Sequence, residues 1–107
     1  MRADYYRADS ENGDRIEDPS EDALFMLFDD LNGSDNTFVV IRPDEDDPVW
    51  SASVTVLDDG GYEVVRRDSS RDEHEVVTET SIGRIALDLT IWMAAREFPE
   101  RAAPAGQ

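Results

Sequence analysis

The sequence predicts an α+β fold: an antiparallel meander of about four strands, or five if the N-terminus adds one, with two amphipathic helices on one face. Three observations carry this reading. Leu24, Leu27, Phe28 and Leu31 recur at helical spacing. Trp50, Ala52, Val54 and Val56 alternate with Ser51, Ser53 and Thr55, the period-two pattern of a strand with one buried and one wet face. A second helical stripe runs through Ile82, Ile85, Ala86, Leu89, Trp92 and Met93. Strands grouped together and bracketed by helices indicate α+β rather than alternating α/β architecture.

The elements follow in order. Residues 1–17 are polar apart from Tyr5, Tyr6 and Ile16, and read as a partly ordered arm or an edge strand, with "DSENGD" as a turn. The next segment, "DPSEDALFMLFDDLNG", predicts a helix at about 19–31. Asp18 is placed as its N-cap, Pro19 at the first helical position and Glu21 three residues after the cap. Asn32-Gly33 is placed at its end, with the glycine as a left-handed cap. "NTFVVIRP" is a strand over about 36–42 that Pro43 stops. "LDDGGYEVV" is a hairpin, because Asp-Gly or Gly-Gly supplies the positive φ of a tight turn. The strand after it runs from about Tyr62 to Arg67, and "HEVVTET" is a weaker fourth strand, since it carries Glu75 and Glu79. Thr80 or Ser81 caps the final helix, Pro99 ends it, and residues 100–107 form a frayed tail. Residues 1–107 fit one domain, long enough to bury roughly 60–70% of the unfolded surface.

Charge constrains function more sharply than any motif. The chain has 26 Asp and Glu against ten cationic residues, all arginine, for a net charge of −16. Direct binding to nucleic acid is disfavoured, because that affinity rests on Lys and Arg neutralising phosphates. An anionic membrane surface is disfavoured for the same reason. The natural partner is a basic one, either a protein patch or cations. Two bulk explanations stand beside that one: a GC-rich genome, which favours Arg codons over Lys codons, and the acidic surfaces of salt-adapted organisms. The chain has no cysteine, which removes disulfides, thiol catalysis and thiolate metal sites. The N-terminus lacks the apolar core of a signal peptide and "LFMLF" is too short to span a bilayer, so the expected location is the cytoplasm.

The candidate site is "RPDEDDPVW", where Asp44, Glu45, Asp46 and Asp47 lie between two prolines and Trp50 follows. Adjacent carboxylates on one turn cannot all face one ion, and no acidic stretch matches the spacing of a calcium-binding loop, so no metal is assigned. The loop reads either as a solvated turn or as a contact for a cationic partner. Trp50 reads either as a residue at the edge of the core, which its position favours, or as an aromatic anchor beside steering charges. His74 is the only histidine, and although Ser69 and Ser70 are close in sequence, no nucleophile elbow surrounds them. Arg66, Arg67 and Arg71 form the one basic cluster and are expected to pair with nearby carboxylates. No catalytic residue and no cofactor are assigned, and the chain is read as a non-enzyme.

From "EDPSEDALFMLFDDLNGSDNTFVVI" through "GGYEVVRRDSSRDEHEVVTETS" to "IALDLTIWMAAREFP", about residues 17–99, the chain resembles small acidic actinobacterial proteins that include immunity proteins of polymorphic toxin systems. The resemblance rests on element order, the "NTF" strand start, the "GGYEV" hairpin and the tryptophan in the last helix. It implies neutralisation of a cognate toxin by binding, and it assigns no residue. The expected function is therefore an immunity-like inhibitor of a basic protein, with Asp44, Glu45, Asp46, Asp47 and Trp50 as contacts and Asp58 and Asp59 at the far hairpin tip. The alternative is a small acidic secretion chaperone or adaptor that holds an extended segment at a sheet edge. A monomer fits the first reading and a homodimer the second.

Overall fold

The computed structural model describes residues 6–43 and 48–95. It has a six-stranded antiparallel sheet with two helices on one face. The strands are β1 (Tyr6–Ser10), β2 (Arg15–Glu17), β3 (Phe38–Pro43), β4 (Trp50–Val56), β5 (Tyr62–Asp68) and β6 (Glu73–Glu79). The helices are α1 (Glu21–Asp29) and α2 (Ile82–Ala94). The strand order is β2-β1-β3-β4-β5-β6. The α+β class, the meander from β3 to β6 and the single helical layer agree with the sequence expectation.

The strand count is larger than expected, because the N-terminal segment supplies two strands. β1 lies between β2 and β3, with Ala8 opposite Ile16 on one side and Ile41 on the other. It is an interior strand, and β2 forms that edge. Its inward residues are Tyr6, Ala8 and Ser10, all buried. Only one of the three is large and apolar, which is why the segment lacks the usual strand signature.

The first helix starts later than its sequence suggests. Asp18 adopts a left-handed backbone at φ 49°, and its N–H donates to the Tyr6 carbonyl at 2.8 Å. The Tyr6 hydroxyl donates to the Pro19 carbonyl at 2.9 Å. These two bonds tie residues 18–19 to β1, so the helix begins after them. Ser20 is the N-cap, its hydroxyl oxygen accepting from the Ala23 N–H at 3.1 Å. Gly33 is not left-handed; instead the Asn32 side-chain oxygen accepts from the backbone N–H groups of Ser34 and Asp35 and reverses the chain. In the β4–β5 hairpin, Gly60 has φ +93°, the conformation the turn requires of a residue without a Cβ. Ser81 caps α2 through the Arg84 N–H.

The core lies between the sheet and the helices. It joins Leu24, Leu27 and Phe28 of α1 to Ile85, Ala86, Leu89 and Met93 of α2, over Val39, Ile41, Trp50, Ala52, Val54 and Val64 of the sheet. Trp50 is 3% exposed and meets Tyr6 at a ring-centroid distance of 6.0 Å. The opposite face of the sheet is not covered by either helix. Ser51, Ser53 and Thr55 stand on it half-buried, as the alternation predicts.

Candidate protein-binding surface

Asp44, Glu45, Asp46 and Asp47 lie outside the described residues. Trp50, at the start of β4, is part of the core, with its ring packed between Tyr6 and Trp92. Asp58 and Asp59 are exposed at the β4–β5 turn, where the Asp59 carboxylate accepts from the Gly61 N–H at 3.0 Å.

The two serines near His74 have structural bonds. The Ser69 hydroxyl donates to the Val49 carbonyl at 3.1 Å, and the Ser70 hydroxyl donates to Asp68 at 2.6 Å. Asp68 is 1% exposed and also accepts from the Ser70 N–H, fixing the 3-10 turn Ser69–Arg71 that links β5 to β6. Of the basic cluster, Arg66 pairs with Glu75 across the β5–β6 ladder, and Arg71 lies 3.7 Å from Asp68. Arg67 makes no ion pair among the described residues.

The feature that sequence reasoning undervalued is β6. It is seven residues long, pairs with β5 along its whole length and forms the edge of the sheet. Glu73 to Thr78 are all exposed, and Glu79 is half-buried. Val76 and Val77 are 53% and 36% exposed, a pair of apolar side chains midway along the edge. Glu73, Glu75 and Glu79 share the helix side of the strand with Val77, and Val76 points to the open side with His74 and Thr78. An edge strand presents unpaired N–H and C=O groups that can template a further strand, and inward-facing charges such as these usually protect it from non-specific pairing. The sequence did hold a signal: glutamates break the apolar alternation of "HEVVTE" on the face that an interior strand would bury. At its end, the Glu79 carboxylate accepts from the backbone N–H groups of Thr80 and Ser81, which hold its pKa below the ordinary glutamate value.

A groove of about 370 Å³ lies beside this edge, lined among others by Val49, Ser51, Arg67, Asp72 and His74. Among the described residues no group of three or more His, Asp or Glu is placed to hold a metal ion, and no helix is long and apolar enough to cross a membrane. No family model, curated protein or solved structure matches the chain.

Proposed function

We propose that this chain is a non-enzymatic acidic binding protein, immunity-like, that works in the cytoplasm by blocking a basic partner protein such as a toxin. The observation that carries the reading is the open β6 edge, where Val77 stands exposed beside Glu73, Glu75 and Glu79 on one face and Val76 stands exposed on the other. An extended basic segment of the partner adds as a seventh strand, its backbone pairing with β6 and its Lys or Arg side chains meeting the glutamates. The net charge of −16 steers the encounter, an effect worth roughly 10–1,000-fold in association rate at low salt. Asp44 to Asp47 add to the attracting field in this proposal.

The same edge supports the second reading, a secretion chaperone or adaptor that holds an extended segment. The two differ in outcome: an inhibitor silences its partner as a monomer, whereas a chaperone works as a stable dimer and releases an active cargo. Co-purification from the native host, identification of the bound protein, and assay of its activity with and without this chain test the proposal. A basic protein whose activity is lost on binding supports it, and retained activity in a stable complex supports the adaptor.

A further inference from the structure

The β6 segment "EHEVVTE" divides its side chains between the two faces of the sheet. Val77 is level with Val64, which is buried in the core, so Glu73, Glu75, Val77 and Glu79 stand on the helix side. His74, Val76 and Thr78 stand on the open side. Each face has one valine near the middle of the strand, and the carboxylates are all on the helix side.

β5 shows what this pattern accepts. Val64 and Val65 are opposite Val77 and Val76, and Arg66 is opposite Glu75, with which it forms an ion pair. Arg66 takes one oxygen of that carboxylate, and the Glu75 side chain remains 56% exposed. β5 lies on one side of β6, and the strand order ends on the other. A second copy of β6 does not fit there. In the antiparallel register centred on Val76, Glu73 falls opposite Glu79, and like charges directly across a ladder are destabilising.

A cleft of about 40 Å³ between β6 and α2 adds a restriction on size. Val64, Ile85 and Leu89 are its buried residues, and Arg66, already paired with Glu75, lines it too. Val77, Glu79 and Asp88 are its more exposed residues, so it opens toward the β6 edge. A residue directly opposite Val77 on an added strand has its Cβ about 5 Å away, at this opening. The cleft takes the end of one aliphatic side chain and is too small for an aromatic ring.

We infer that the segment captured at β6 runs antiparallel to it and reads, from its N-terminus, basic, any, aliphatic, aliphatic, basic, any, basic. The inference rests on the β6-edge reading above and adds direction, register and sequence to it. Direction follows from the sheet, in which every strand pairing is antiparallel, the more stable arrangement per residue. The first basic residue then faces Glu79, the aliphatic pair faces Val77 and Val76, and the last two basic residues face Glu75 and Glu73. The first aliphatic side chain enters the cleft. A slip of one residue moves every basic side chain to the face without carboxylates.

The test is an NMR titration of the full chain with two end-blocked peptides, Lys-Thr-Val-Val-Lys-Thr-Lys and its reversal, Lys-Thr-Lys-Val-Val-Thr-Lys, which have the same composition and charge. The first is expected to give saturable shifts along Glu73–Glu79 and at Ile85 and Leu89, and the reversal to bind roughly fivefold more weakly or worse. Phenylalanine in place of the first valine weakens binding. Glu73→Lys, a change at an exposed residue, weakens binding of the first peptide roughly fivefold or more, and a peptide with glutamate as its last residue restores it. A peptide with glutamate as its first residue does not. Equal binding of the two peptides, tighter binding of the reversal, rescue from the wrong end, or no saturable binding of either overturns the inference. Capture of a basic protein at this edge despite such a result leaves the broader proposal standing, whereas peptides that bind in register in the absence of any basic partner in the host support the inference and overturn the proposal.

Discussion

Trp50 and Trp92 meet edge to face, with ring centroids 5.7 Å apart and planes at 87°. This contact joins the first residue of β4 to the last turn of α2, and Tyr6 of β1 extends it to a third element. Three elements far apart in sequence are therefore fastened at one end of the core. Truncating a buried tryptophan costs about 3–5 kcal/mol, a large share of a small domain's stability. Trp50→Ala should lower the urea midpoint accordingly, and Trp50→Phe should fall between it and wild type. A double-mutant cycle with Trp92→Leu should give a coupling of about 0.5–1.5 kcal/mol, the range for aromatic pairs beyond their area burial.

Asp68 is a buried carboxylate with a structural task. It accepts from both the backbone N–H and the hydroxyl of Ser70, and so sets the turn into β6. Asp68→Ala should destabilise the fold by about 1–3 kcal/mol in urea unfolding, the cost of removing a buried hydrogen-bonding partner. Asp68→Asn, which keeps one acceptor oxygen, should cost less.

Glu11 accepts from the hydroxyl of Thr37 at 2.6 Å and from its backbone N–H at 2.7 Å, linking the β1–β2 turn to the start of β3. These bonds favour the charged form and hold the Glu11 pKa below the ordinary glutamate value. A depressed folded-state pKa stabilises the fold fully above the unfolded-state pKa, and that contribution is lost as pH falls through the folded one. Thr37→Val should raise the Glu11 pKa part of the way in an NMR titration, since the backbone bond remains. Glu11→Gln should make the acid-side loss of stability shallower.

The β6 edge separates binding from stability. Val76 is half exposed, so Val76→Lys should change folding stability by no more than about 0.5 kcal/mol. It should nevertheless greatly weaken capture of a basic extended segment, because a like charge then stands in the middle of the added strand. Isothermal titration with the co-purified partner would measure the loss.

Much of the architecture was legible because local signals and tertiary packing agreed. The β4 alternation, the Gly60 turn and the Ser81 cap all stand where the sequence places them. Disagreement arose where long-range bonds overrode local preference. The bonds from Tyr6 to Asp18 and Pro19 delay the start of α1, a contact that no helical window contains. β1 was hard to recognise because it buries Ala8 and Ser10, residues small enough to lie beneath closely packed helices but too small to register as strand formers. The levelling of Arg7, Arg42 and Arg67 on the open face of the sheet was invisible for a third reason: they are more than twenty residues apart in sequence, and only strand register brings them level.

The central claim is that a compact acidic scaffold captures a cationic protein through charge and an open strand edge. Its most direct test is the association rate of the co-purified partner, measured by stopped flow from low to high salt, for wild type and for charge reversals at residues 44–47, at Asp58 and Asp59, and at Glu73 and Glu75. The account predicts a wild-type rate that falls at least tenfold with salt. It predicts a marked slowing on reversal at 44–47 and at the β6 edge, and a small effect at the hairpin tip. A chain that binds no cationic protein at any ionic strength, or one slowed equally by all three reversals, would contradict it.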